Sequence, residues 1–346
     1  MGNNIFRKRN VALFMLATLV TSSCFAQGLV YDDNSRNPVV IPPAERLLQT
    51  VYAEPWLKIS DKSLQLEGPA YDRNGNLFIV SVFTGEVFKI LPDKKISVIL
   101  GPNKKSPAAI DIHKDGRLFI SGLGDFKNGS VYAINPDGTG ITDIIPTSSG
   151  YLPDDIIFDS NGGFYFTDFN GYSTNSKGAV FYVSPDYKKI TKVLPNLSIA
   201  NGIALSPGGT TLWVTELGAG RLHRVNLSDS VTIAPFGATI PYRFTGSSGL
   251  DSMVIDSDGN LYVAMYPQGR ILVFNKNGNP IGQILIPKRE KGEQLFTTSM
   301  CFKPESNELI ITTNDGEWST GDGVDGGAWL YKSKGFAKEL PLFSHQ

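Results

Sequence analysis

Histidine and cysteine are scarce: three histidines and two cysteines among 346 residues. His113 stands at a strand–turn junction, His223 in a third-strand position and His345 at the C-terminus. None falls at the shared position described below, so neither a Ser-His-Asp triad nor a zinc site has support. Cys24 lies in the N-terminal leader. If it leaves with that leader, Cys301 is the only thiol and no internal disulfide can form. Cys301 sits in the apolar run Ser299-Met300-Cys301-Phe302 and reads as a buried small hydrophobe, not a nucleophile. Beyond the N-terminal Arg7-Lys8-Arg9 there is no basic run, there is no aromatic–basic interleaving, and the formal net charge is -1, so nucleic acid is not expected as a partner. Phosphate-cradling glycine loops and dinucleotide fingerprints are also lacking.

Long hydrophobic runs are missing except at residues 11–20, which are too short to span a bilayer. Arg7, Lys8 and Arg9 precede that run, and Ser22-Ser23-Cys24-Phe25-Ala26-Gln27 follows it. A basic stretch, a short apolar core and small residues before a cut describe a secretory signal over residues 1–26. Cleavage after Ala26 is expected, giving an exported protein, periplasmic or secreted, with no membrane span. The alternative is a lipoprotein cut before Cys24, but Thr21 stands where such a site prefers Leu. Residues 27–46 are polar and rich in Pro and Asn and read as a flexible segment.

What is abundant is repetition. The motifs Leu77-Phe78-Ile79, Leu118-Phe119-Ile120, Phe164-Tyr165-Phe166, Leu212-Trp213-Val214, Leu261-Tyr262-Val263 and Leu309-Ile310-Ile311 recur at steps of 41, 46, 48, 49 and 48 residues. Each follows a turn signal such as Arg73-Asn74-Gly75-Asn76 or Ser257-Asp258-Gly259, where Asn-Gly and Asp-Gly supply the positive φ of tight hairpins. Further strands follow each, such as Arg270-Ile271-Leu272-Val273-Phe274. Four short strands per unit at this period predict an all-β, six-bladed β-propeller over residues 47–346, a single domain expected to be monomeric. Radial closure removes the open sheet edges. Residues 48–59 could supply the outer strand of the last blade and latch the ring.

Counting back five residues from the start of each turn gives Glu67, Ala108, Asp154, Asn201, Asp251 and Thr298. Innermost strands line a propeller's channel, so these six positions form a ring at one level of its axis. Three carboxylates converging there repel one another. Either one is protonated, or a cation sits among them. The donors are all oxygen, which suits Ca²⁺ first, then Mg²⁺ or Mn²⁺. The second strands end on the same face, so Ser81, Asp168, Glu216, Tyr266 and Asn314 are candidates for a pocket wall. Arg243, in a loop at that face, could meet an anionic substrate group or be a plain surface residue.

The stretches Ile112-His113-Lys114-Asp115-Gly116-Arg117-Leu118-Phe119, Gly163-Phe164-Tyr165-Phe166-Thr167-Asp168-Phe169 and Ala200-Asn201-Gly202-Ile203-Ala204-Leu205-Ser206 carry a resemblance. Across residues 47–345 the chain resembles the gluconolactonase, regucalcin and senescence-marker-protein family, nearest to its calcium-dependent, drug-responsive lactonases. The resemblance implies hydrolysis of a small-molecule lactone. It also implies a catalytic Ca²⁺ held by Glu67, Asp154, Asn201 and Asp251, with Ser252 as a further ligand and Asp251 as general acid/base. A second, structural ion of those lactonases is not carried over, because Ile145-Pro146-Thr147-Ser148 replaces its acidic ligand. A ligand-binding propeller without catalysis is the alternative. A quinone-dependent sugar dehydrogenase lacks the channel His and Arg-Lys cluster it would need.

Overall fold

Alternation of large apolar residues on short strands dictates the architecture. In Leu77–Ser81, for example, Leu77 and Ile79 face one neighbouring blade while Phe78 and Val80 face the other. Such strands need apolar cover on both faces, and stacking blades around an axis provides it. The structure is a computed structural model describing residues 29–31, 36, 37, 39–246, 249–316 and 326–346. The expected leader, with Cys24, lies outside the described residues. Among those described, no helix is long and apolar enough to cross a membrane.

Six antiparallel sheets form six blades, as expected. Their innermost strands are Leu66–Tyr71, Pro107–Ile112, Pro153–Phe158, Ala200–Leu205, Gly249–Ile255 and Phe296–Phe302. Each innermost strand touches the next, and the last touches the first, so the ring is closed. Six apolar clusters occupy the six spaces between consecutive blades. Cys301 is buried in one of them, where burial pushes its thiol well above the ordinary range.

The N-terminal strands close the ring. Glu54–Ser60 pairs antiparallel with Ala328–Lys334 as the outer strand of blade 6, so that blade is assembled from both ends of the domain. The strand just before it, Gln49–Tyr52, adds in parallel to the outer edge of blade 5. The latch therefore grips two blades, one more than the sequence suggested.

Part of the segment expected to be flexible is docked. The compact unit begins at Asn37. Glu45 is buried and accepts from Arg270 at 2.5 Å and from the Tyr242 hydroxyl. Arg289 donates to the Val39 carbonyl at 3.1 Å. A buried Arg270 needs a counter-charge, and the N-terminal segment supplies it.

At the other end, Phe343 lies against His113 and Phe158. Leu340 and Leu342 cover the channel below the ring.

Candidate functional site

All six innermost strands break their ladder register at the ring position, for example between Glu67 and Ala70 and between Leu250 and Met253. Such a bulge locally twists the strand and re-aims a side chain. It directs Glu67, Asp154, Asn201 and Asp251 to the axis. All four are buried, at 6%, 8%, 3% and 6% exposure. Gly202 follows Asn201 because a Cβ there would meet the Asp251 carbonyl oxygen at 2.6 Å.

The Asn201 side chain and the Ser252 backbone amide both favour the ionised form of the Asp251 carboxylate. Burial, opposed by the Asn201 hydrogen bond and reinforced by the charge of Asp155, pushes Asp251 up to about 8. Glu67 is held well above its ordinary value by burial, then by Asp251, Asp154 and Asp155. Asp154 is raised in the same direction by burial, Asp251 and Asp155. Two buried acceptor oxygens, Glu67 Oε2 and Asn201 Oδ1, have no hydrogen-bond partner. Native interiors seldom leave such atoms unpaired.

Among the described residues, no three His, Cys, Asp or Glu side chains are gathered closely enough to hold a metal ion by themselves. The ring is a looser set that includes an amide. Its chemistry nevertheless fits a hard divalent cation. The donors are all oxygen, two are orphaned acceptors, and three are carboxyl groups raised by burial and one another.

The other expected residues are placed differently. Ser252 is buried, and its side chain favours the ionised form of Asp155 while its backbone amide does the same for Asp251. Asp168 is occupied within the protein, its Oδ1 accepting from Leu152 N at 2.9 Å and Asn170 Nδ2 at 2.7 Å, so it braces the loop entering blade 3. Glu216 accepts from Ser198 N at 2.9 Å and bonds His223 Nε2 at 2.7 Å, with Arg221 Nη1 at 3.6 Å. Burial opposes its ionisation, but the bonds from His223 and Ser198 win, and its carboxyl lies below the ordinary range. Tyr266 is half-buried against Phe296, and Arg243 is exposed.

Sequence reading missed a second carboxylate level. Asp111 accepts from Ile112 N and Phe158 N, both at 2.8 Å, and Asp155 accepts from Ile203 N at 3.1 Å. Each thereby ties its blade to the next. Burial, partly offset by those amides, raises both to about 7.

A pH dependence follows. A carboxyl raised in the fold keeps its proton where the unfolded chain, at about pH 4, has released it. The associated stability is complete below that pH. It is lost as pH rises through about 7 for Asp111 and Asp155 and about 8 for Asp251. In EDTA, the melting temperature should therefore fall by several degrees between pH 5 and pH 8, and a divalent cation should restore most of the loss. A flat profile would contradict the raised values.

Comparison with known proteins identifies the family. Residues 62–315 match the family model described as SMP-30/Gluconolactonase/LRE-like region. Lactonase drp35 of Staphylococcus saprophyticus is 55% identical over 314 residues, covering 90% of this chain and 95% of the relative. Lactonase drp35 of Staphylococcus aureus is 57% identical over 317 residues, with 90% and 95% covered. Among solved structures, a calcium-binding protein, regucalcin, from Agrobacterium tumefaciens superposes with a TM-score of 0.70 at 19% identity, covering 85% of this chain and 99% of that one. A gluconolactonase from Xanthomonas campestris gives 0.64 at 18% identity, with 85% and 94% covered. At those identities the structures speak to fold alone. The match over most of the propeller, with relatives identical at more than half of the aligned positions, shows that this chain belongs to the SMP-30/gluconolactonase/LRE-like family.

Proposed function

We propose that this protein hydrolyses lactones at the axial ring, using a divalent cation, Ca²⁺ first, held by Glu67, Asp154, Asn201 and Asp251. The observation that carries the reading is the pair of orphaned oxygens, Glu67 Oε2 and Asn201 Oδ1, among three mutually repelling carboxyl groups. The similarity to proteins named Lactonase drp35 supplies the substrate class. When bound, such a cation offers positive charge against the oxyanion that develops as a lactone carbonyl is attacked.

The chain's own groups do the rest. Asp251, which burial and the charge of Asp155 hold above the ordinary carboxylate range when no cation is bound, would be the group that exchanges the proton. It would take a proton from the attacking water as the new C–O bond forms. As the ring C–O bond breaks, it would return that proton to the leaving alkoxide, giving a hydroxy acid. The Asn201 amide fixes its orientation. Ser252 supports Asp251 from its backbone, and Arg243, exposed in the last strand of blade 4, is available to a substrate carboxylate.

The test is a panel of dihydrocoumarin, an aldonolactone and an open-chain phenyl ester. Turnover of a cyclic ester supports the reading. Lactone binding without turnover would instead make the ring a ligand-binding module. Export is part of the proposal, motivated by the basic and apolar leader. N-terminal sequencing of the mature protein should begin at Gln27, and an intact cytoplasmic chain would contradict it.

A further inference from the structure

A bulge leaves backbone groups without ladder partners, and in four blades a side-chain hydroxyl takes them. Three residues after the start of each repeated apolar motif stand Val80, Ser121, Thr167, Thr215, Ala264 and Thr312 in blades 1 to 6. Thr215 Oγ1 accepts from Gly202 N in its own blade at 2.6 Å and donates to the Asp251 carbonyl of the next blade at 3.0 Å. Thr167 Oγ1 likewise accepts from Asp155 N at 2.9 Å and donates to the Asn201 carbonyl at 2.5 Å. Ser121 accepts from Ala109 N at 3.1 Å and donates to the Asp154 carbonyl. In blade 6 the connection is a relay. Thr312 Oγ1 accepts from Ser299 N at 3.0 Å and meets Thr298 Oγ1 at 2.7 Å. Thr298 Oγ1 donates to the Leu66 carbonyl at 2.6 Å, one residue before Glu67.

The distribution matches the donors. Hydroxyls occur in the blades preceding Asp154, Asn201, Asp251 and Glu67. They are replaced by Val80 and Ala264 in the blades preceding Ala108 and Thr298, positions that offer the axis no carboxylate or amide. A second regularity follows. In blades 1 and 5, which lack the hydroxyl, the amide after the ring residue favours the ionised form of the ring carboxylate: Gly68 on Glu67 and Ser252 on Asp251. In blades 3 and 4, Thr167 and Thr215 take that amide instead, which releases the side chains of Asp154 and Asn201 from it.

We propose that Ser121, Thr167, Thr215 and the Thr312–Thr298 relay are positioning residues that fix the spacing of the four ring donors across blade boundaries. Each acts through the backbone of a donor or its neighbour. The inference rests on the ion-binding reading above, and its test separates the two.

Ca²⁺ would be titrated calorimetrically into EDTA-stripped, dialysed wild type, Thr215→Val, Thr167→Val, Thr215→Ser and Thr211→Val. Losing one buried hydrogen bond should weaken Ca²⁺ affinity about tenfold in each Val variant of Thr167 or Thr215. Thr215→Ser, which keeps the hydroxyl, should stay within about twofold of wild type on the same reasoning. Thr211 lies on the same strand as Thr215, with its hydroxyl on Asn226 at 3.2 Å. Thr211→Val should lower the melting temperature in EDTA without changing Ca²⁺ affinity. Wild-type affinity in both Thr167→Val and Thr215→Val, or equal weakening in Thr215→Ser and Thr215→Val, would overturn the positioning role. Failure of the wild type itself to bind Ca²⁺ would overturn the ion reading.

Discussion

Asp251→Asn should lower kcat/KM for dihydrocoumarin by roughly 10²–10⁴, the range general acid–base groups contribute. The exchange preserves shape and keeps an oxygen facing Asn201, while removing the charge and the exchangeable proton. It should also raise the melting temperature in EDTA. Asp251 is buried and lies in the field of Asp155, and it raises both Glu67 and Asp154. Neutralising it relieves repulsion that the ion-free fold must otherwise tolerate. Greater stability with lost activity would mark Asp251 as a functional compromise. Near-wild-type turnover with the ion still bound would refute its proton-carrying role.

The second large effect concerns the latch. Deleting residues 1–60 removes the outer strand of blade 6, the strand added to blade 5, and Glu45. Arg270, fully buried, would lose its counter-charge, and breaking a buried pair alone costs about 3–5 kcal/mol. Loss of a whole outer strand adds to that against a total stability of about 5–15 kcal/mol. The truncated chain should lose its cooperative melt by circular dichroism. Glu45→Gln, which leaves the strands intact, should melt cooperatively at a lower temperature. A truncated chain melting like the full one would show that the ring closes without its N-terminal strands.

The fold was legible because a propeller repeats its grammar. Six turn signals and six apolar motifs at a period in the forties fix blade number, and the register that locates one ring residue locates all six. The latch was visible only as strand-like character. Its second attachment was not, because nothing local marks Gln49–Tyr52 as the parallel neighbour of Pro280–Leu285. Polarity around Glu45 suggested a loose tether, since a buried ion pair spans 225 residues of sequence and leaves no periodic trace. At the site, the register found Glu67, Asp154, Asn201 and Asp251. It gave the wall residues only as a face: Asp168 and Glu216 do end their strands there, but loop amides and His223 engage their carboxylates. Asp155 was hidden beside Asp154, because a bulge suspends the alternation that would otherwise assign it to the opposite side. The position three residues after the start of each apolar motif, by contrast, was readable in the same alignment, as four hydroxyls among six.

Dihydrocoumarin hydrolysis by protein stripped with EDTA and dialysed free of it tests the cation-dependent ring most directly. Activity should fall to background, return when Ca²⁺ is added, and fail to return in a Glu67→Gln, Asn201→Ala double variant at the same Ca²⁺ concentration, as expected if the ring holds the ion. Undiminished turnover by the stripped wild type would contradict it.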